Sequence, residues 1–131
     1  EMNITNDGIL LATIIKKNDD EKIKKNFYTE NNAEFQVASF SLDKDEVIDR
    51  HFHPEQIRSV TKTSEVIVVK NGEILLTLYN KDLEKVQDIV LNEGDIAILI
   101  DGGHELTMNT DAKFIEVKQG PYEEHKDKKR F

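Results

Sequence analysis

The sequence contains no cysteine among its 131 residues. This absence excludes disulfide bonds, thiolate metal ligands and cysteine nucleophiles, so any metal site must use histidine, carboxylate or water. Long apolar runs are also missing, because the longest, at 8–15 and 96–100, are far too short to span a bilayer. No basic region followed by an apolar stretch marks a secretory signal, so we expect a cytoplasmic protein that does not enter a membrane.

An excess of positive charge is also missing, because 26 acidic residues outnumber 18 basic residues and the formal net charge is −8. Binding to nucleic acid phosphates requires a basic surface, so the composition argues against a nucleic acid partner. The basic cluster "KDKKRF" at 126–131 belongs to a charged tail over 123–131, which we interpret as solvated, together with His125.

Helical periodicity is nearly absent, and short apolar or alternating segments recur between turn residues, as in an all-β sandwich or barrel. Asn71-Gly72 is the strongest hairpin signal, because both residues tolerate positive φ. The connection 16–26 is polar or forms a short helix. We therefore predict one domain over 1–131, with a core at about 33–120. The predicted strands cover 9–15, 33–42, 46–53, 64–70, 73–80, 88–91, 95–100, 104–109 and 113–119.

His51 and His53 stand at positions i and i+2 of the predicted strand 46–53, in a chain with 4 histidines. Residues two apart in a strand point to the same side, so both imidazoles would project together. Pro54 follows where it no longer interrupts the hydrogen-bond ladder. The pattern suits two ligands of one metal ion, although two solvated histidines beside a turn would give it as well.

Two further residues strengthen the metal hypothesis. Glu65 opens the apolar segment "EVIVVKNG", and burying its carboxylate would be costly unless it were paired or coordinated. His104 follows the turn "DGG" after the apolar segment "DIAILI". Three imidazoles and one carboxylate form a plausible set of ligands for a divalent first-row metal. A surface carboxylate and a turn histidine are the plainer alternatives.

The order of these residues resembles the two signature motifs of the cupin superfamily. His51, His53, Glu65 and Gly72 match the first motif, and the second is matched by Gly94, Gly102 and His104. The resemblance covers about residues 46–109. It implies a double-stranded β-helix, the cupin jelly-roll barrel. It also implies one divalent transition metal (Zn, Ni, Fe or Mn) bound inside by His51, His53, Glu65 and His104.

The chain departs from the cupin pattern most clearly between His53 and Glu65, where eleven residues replace the usual three or four. This gap suggests a loop, "PEQIRSVTKTS", over the mouth of the barrel, and it makes Glu55 an alternative carboxylate ligand. Arg58 lies in the same loop, where its guanidinium could hold a carboxylate or phosphate of a substrate.

Three functions are compatible with these residues. The first is a metal-dependent enzyme acting on a small polar, sugar- or acid-like molecule, with the reaction type and the catalytic residues unknown. The second is a metal- or ligand-binding module without turnover, and the third is a structural domain with incidental histidines. No nucleophile elbow, phosphate loop or dinucleotide fingerprint is present.

Two expectations concern the first and the last of the predicted strands. The strand "ILLATII" at 9–15 shows little alternation, so both its faces should be covered, one of them by a second subunit of a homodimer. In the last strand, Glu116 and Lys118 share one face and Gln119 lies on the other; we interpret both charges as solvated.

Overall fold

The structure is a computed structural model that describes residues 1–19 and 23–131. These residues form antiparallel strands and one short helix, which confirms the all-β class. No helix in the described ranges is long and apolar enough to cross a membrane. The elements are β1 Met2–Asn6, β2 Ile9–Ile15, β3 Lys25–Phe27, β4 Ala38–Phe40, β5 Glu65–Asn71, β6 Ile74–Tyr79, β7 Lys85–Leu91, β8 Ile96–Leu99, β9 Gly103–Met108, β10 Lys113–Lys118 and α1 Glu124–Asp127.

The chain divides into two compact units, Glu1–Asp19 with Lys62–Phe131, and Asp20–Thr61. The first unit contains a five-stranded sheet, in the order β1-β2-β8-β5-β10, and a three-stranded sheet, in the order β7-β6-β9. The second unit contains the two-stranded sheet β3-β4. That the whole range 1–131 forms a single domain stays a prediction.

The core of the first unit lies between its two sheets, because one cluster of buried side chains draws on both. The cluster includes residues of β1 and β2, which precede the predicted core range 33–120. In β5, the buried Ile67 and Val69 alternate with half-buried neighbours, so the strand has an inner and an outer face. The buried members of the cluster are Ile4, Ala12, Ile14, Ile67, Val69, Ile74, Leu76, Leu78, Ile89, Leu91, Ala97 and Leu99.

Strand β2 confirms the expectation of burial on both faces within a single chain. Ala12 and Ile14 belong to the core cluster, and Thr13, which points to the other side, is only 2% exposed. The Thr13 hydroxyl donates a hydrogen bond of 2.8 Å to the side-chain oxygen of Asn3 on β1. Burial of this strand therefore gives no argument for a second subunit.

The Asn71-Gly72 turn connects the two sheets, so the prediction of a hairpin at this position is wrong. β5 pairs with β8 and β10, whereas β6 pairs with β7 and β9. Gly72 has a φ of +87°, as a tight reversal requires, and the Asp111–Ala112 backbone packs directly against its α-carbon. The chain thus reverses between layers at Gly72 instead of folding back along its own strand.

The shortest hairpin in the described residues joins β1 to β2 through Asp7-Gly8. Asn6 pairs with Ile9 across it, and the φ angles of Asp7 and Gly8 are 51° and 76°. Two successive positive φ angles define the turn that matches the twist of paired strands. This hairpin, β1 and β3 are not among the predicted elements, although Asp-Gly is itself a hairpin signal.

Two predicted strands differ from the structure in the second unit. Only Ala38–Phe40 of the range 33–42 forms a strand, and the range 46–53 forms none. Residues 46–53 are exposed along their whole length. Alternation predicts a strand from local pattern, but a strand also needs a neighbour for its backbone hydrogen bonds, and β3 and β4 pair only with each other. The predicted connection 16–26 includes residues 20–22, which lie outside the described ranges.

The buried Asp95 fixes the turn between β7 and β8. Its carboxylate accepts hydrogen bonds from the backbone N–H groups of Asn92 (2.8 Å) and Lys17 (2.9 Å), and it lies 3.1 Å from the Lys16 ammonium. Burial alone would raise the pKa of Asp95, but these hydrogen bonds and the Lys16 charge bring the pKa below its ordinary value of 3.8. The charged form of Asp95 therefore stabilises the fold.

We expect Asp95→Asn to lower the free energy of unfolding by about 2 kcal/mol, because its amide NH₂ leaves a buried backbone N–H without an acceptor. A carboxyl group whose pKa is lower in the folded than in the unfolded state stabilises the fold fully at pH values above the unfolded-state pKa. The loss in free energy of unfolding caused by Asp95→Asn should therefore be constant above about pH 5 and shrink as the pH falls below 3.8. Urea denaturation between pH 2 and 7 measures this, with the exposed Glu93→Gln in the same turn as control. A deficit independent of pH would contradict the assignment.

Candidate functional site

Glu65 lies at the start of β5, on the inner face of the five-stranded sheet. It pairs with Leu99 on one side and with Lys118 on the other, and it shares its face with Ile67 and Val69 of the core. The side chain of Glu65 is 14% exposed. The apolar strand thus carries its carboxylate to the end of the space between the sheets.

His104 reaches the same place from the three-stranded sheet. It is the second residue of β9 and pairs with Leu78. Both side chains lie on the face of the three-stranded sheet that also carries the buried Leu76. The preceding turn is fixed by Asp101, which accepts a hydrogen bond of 2.8 Å from the Gly102 N–H and pairs with Lys62 at 2.7 Å. The "DGG" turn therefore carries the chain from one sheet to the other and delivers His104 to the inner face.

Glu65 and His104 meet across the space between the sheets. The Glu65 Oε2 atom lies 3.3 Å from His104 Nε2. The Oε2 atom is buried, yet no donor in the described residues is aligned with it well enough for a hydrogen bond. His104 Nε2 is the nearest candidate donor, and a cation bound between the two atoms would satisfy the buried oxygen as well.

The distance between these two atoms fits a shared metal ion. Two ligand atoms about 2.1 Å from one ion lie roughly 3.0 to 3.4 Å apart for octahedral to tetrahedral angles. The measured 3.3 Å falls within this range. Glu65 and His104 therefore fit as two ligands of one ion.

The charges around the pair favour an ionised carboxylate. The pKa of Glu65 lies below its ordinary value, mainly because of the neighbouring His104 imidazole; burial opposes this effect, and the positive charge of Lys118 assists it. Glu116 and Lys118 also lie on the inner face, since they pair with Ile67 and Glu65. An ionised carboxylate is the form that binds a metal.

The interpretation of both charges as solvated is confirmed for Glu116, whose side chain is 42% exposed, and wrong for Lys118. Its side chain is 21% exposed, and its ammonium lies 2.7 Å from Asp127 Oδ2 and 3.7 Å from Glu116 Oε2. Alternation showed that Glu116 and Lys118 share a face, but the pattern of one strand does not reveal which face is inner. The partner strand β5 decides this, because the buried Ile67 lies opposite Glu116.

His51 and His53 lie together in the second unit. Their rings meet edge to face, with centroids 5.3 Å apart, and His51 Nδ1 lies 2.7 Å from the backbone oxygen of Asp49. Because 46–53 is not a strand, the shared strand face is not the reason for their proximity. Glu55 and Arg58 are exposed in the same unit.

The four predicted metal ligands thus form two pairs, His51 with His53 in one unit and Glu65 with His104 in the other. Among the described residues of either unit, no three histidine or carboxylate side chains are grouped so that they could hold a metal by themselves. A cavity of about 70 Å³ in the first unit lies elsewhere, beside Ile9, Leu11 and Asn80. It is too small for a sugar-sized ligand.

Comparison with known proteins gives no further assignment, because no family model, curated protein or solved structure matches this chain.

Proposed function

We propose that this protein is a metal-binding cupin with one divalent transition metal, Zn, Ni, Fe or Mn, held by His51, His53, Glu65 and His104. The observation that carries the proposal is the buried Glu65 Oε2 atom, which has no aligned donor and lies 3.3 Å from His104 Nε2. The proximity of the His51 and His53 rings supports the second half of the ligand set. The jelly-roll barrel and a cytoplasmic location belong to the same proposal.

We propose further that the protein is an enzyme for a small polar, sugar- or acid-like substrate. A bound divalent ion supplies a Lewis acid that polarises substrate oxygen atoms. Glu116 supports turnover over simple binding, because its carboxylate can transfer a proton and it lies on the same inner face as Glu65. In the exposed loop of the second unit, Arg58 would bind an anionic group of the substrate. The alternative is a cupin module that binds its ligand without turnover.

The thermal stability of the protein tests the metal site. A ligand that binds only the folded state raises the melting temperature, so we expect the tag-free protein to melt higher with added Zn²⁺, Ni²⁺, Fe²⁺ or Mn²⁺ than after treatment with a chelator. His51→Ala and His104→Ala should abolish most of that rise. The matched control is His125→Ala in the exposed C-terminal segment, which should keep it. An equal rise in all variants would exclude the site.

The homodimer also remains a proposal, now supported by the edge strand β10. The outward side chains of Ile115 and Val117 on this strand are 47% and 50% exposed. An exposed apolar edge strand favours pairing with a second copy. Light scattering should report a dimer for the wild type and a monomer for Val117→Lys, because the introduced charge opposes apolar contact. A wild-type monomer across a wide concentration range would refute the dimer.

A further inference from the structure

The segment that follows β10 folds back over one end of the first unit. It comprises residues 119–131, and it includes the short helix α1 and the aromatic residue Phe131. Near its start, Gln119 accepts a hydrogen bond of 2.6 Å from the Ser64 N–H, and the Tyr122 ring lies 5.4 Å from the Lys118 ammonium. Two contacts attach the rest of the segment to the strands, and each of them lies beside one member of the Glu65–His104 pair.

The first attachment is the ion pair between Asp127 and Lys118. The Asp127 Oδ2 atom lies 2.7 Å from the Lys118 ammonium, and the Asp127 side chain is only 9% exposed. Lys118 stands directly opposite Glu65 in the ladder between β10 and β5. The segment is therefore held next to the candidate carboxylate ligand.

The second attachment is the contact of Phe131 with Tyr79 and Gly103. The rings of Phe131 and Tyr79 meet edge to face, with centroids 5.0 Å apart. Phe131 lies so close above Gly103 that a β-carbon at this position would be 2.8 Å from its ring. Tyr79 pairs with Gly103, the residue that precedes His104. The segment thus also contacts the strand that carries the candidate imidazole ligand.

These attachments lie on different sheets. Lys118 belongs to the five-stranded sheet, whereas Tyr79 and Gly103 belong to the three-stranded sheet. Packed sheets are about 10 Å apart, and the four steps from Asp127 to Phe131 can reach about 14 Å when extended. Residues 127–131 therefore cross from one sheet to the other at the end where Glu65 and His104 face each other.

We propose that residues 119–131 form a strap that partly closes the entrance to Glu65 and His104, whose side chains are 14% and 33% exposed with the strap in place. The role of Glu65 and His104 as metal ligands rests on the proposed function. The strap itself concerns only the access of solvent and reagents to the two side chains. Beyond Tyr122, one ion pair and one ring contact fasten the strap, and Phe131 is 65% exposed. The part of the strap beyond Tyr122 has few contacts and ends in a largely exposed residue, so it can open while the sheets stay folded.

Chemical labelling of His104 tests the strap without any metal. The chelator-treated protein is modified with diethyl pyrocarbonate, and mass spectrometry follows the peptide that contains His104. We expect Asp127→Asn and Phe131→Ala each to accelerate this modification by roughly threefold, and the double variant by roughly tenfold, because the two attachments act independently. The exposed Glu124→Gln in α1 is the matched control, and His125 serves as an internal reference.

Metal release provides the second readout. In metal-loaded protein, the same variants should lose the ion to a chelator faster by similar factors. Unchanged labelling of His104 in a folded double variant would overturn the strap. Faster labelling in a protein that binds no metal would refute the proposed function and leave the strap supported. If the double variant unfolds, the two single variants decide the matter, because each leaves one attachment in place.

Discussion

Glu65→Gln is expected to weaken the binding of a divalent transition metal by more than about tenfold, because a neutral amide replaces the charged ligand. The apo-protein should remain folded, although it loses the stabilisation that the ionised Glu65 gains from the neighbouring His104. The core between the two sheets is apolar and independent of the ion. Isothermal titration with Zn²⁺ or Ni²⁺ measures the affinity, and thermal melting of the apo-protein measures the stability.

Glu55→Gln is the control for this experiment, because Glu55 is the other carboxylate that follows His51 and His53. It is exposed in the second unit. We expect it to leave the metal affinity unchanged. If Glu55→Gln loses the metal while Glu65→Gln keeps it, the eleven-residue gap has moved the carboxylate ligand, and the match of Glu65 to the cupin motif fails.

The largest effect on stability is expected at Gly72. Gly72→Ala should lower the free energy of unfolding by about 3 kcal/mol, for two reasons that act together. The φ of +87° is unfavourable for any residue with a β-carbon, and the Asp111–Ala112 backbone occupies the space that this carbon would need. Urea denaturation measures the difference.

Gly8→Ala separates these two contributions. Gly8 also has a positive φ, of +76°, but nothing lies within 4 Å of the place where a β-carbon would stand. Only the backbone strain applies there, which costs about 1 kcal/mol. Equal losses for the two variants would contradict the close packing of the Gly72 turn.

The strands of the first unit were largely predictable, because the alternation in segments such as 64–70 follows from one face lying on the core. Turn signals were less informative. Asn71-Gly72 correctly indicates a reversal, but no local pattern shows whether the next strand pairs with the last one or joins another sheet. Asp7-Gly8 was missed because the polar segment before it does not resemble a strand.

The candidate site was predictable one residue at a time. A carboxylate at the start of an apolar strand identified Glu65, and the glycine-rich approach identified His104. Their separation of 3.3 Å depends on two sheets packing face to face, which is not a local property of the sequence. The contacts of Lys118, Asp127 and Phe131 were not predictable from the sequence, because they join positions far apart in the chain or follow the last strand.

X-ray absorption spectroscopy of the metal-loaded, tag-free protein is the decisive experiment for the metal site. We expect one equivalent of metal per chain, with three imidazole nitrogens and one carboxylate oxygen at about 2.0 to 2.2 Å. His104→Ala should remove one imidazole from this shell or abolish binding. A protein without a stoichiometric metal, or a shell with fewer than three imidazoles in the wild type, would contradict the proposed site.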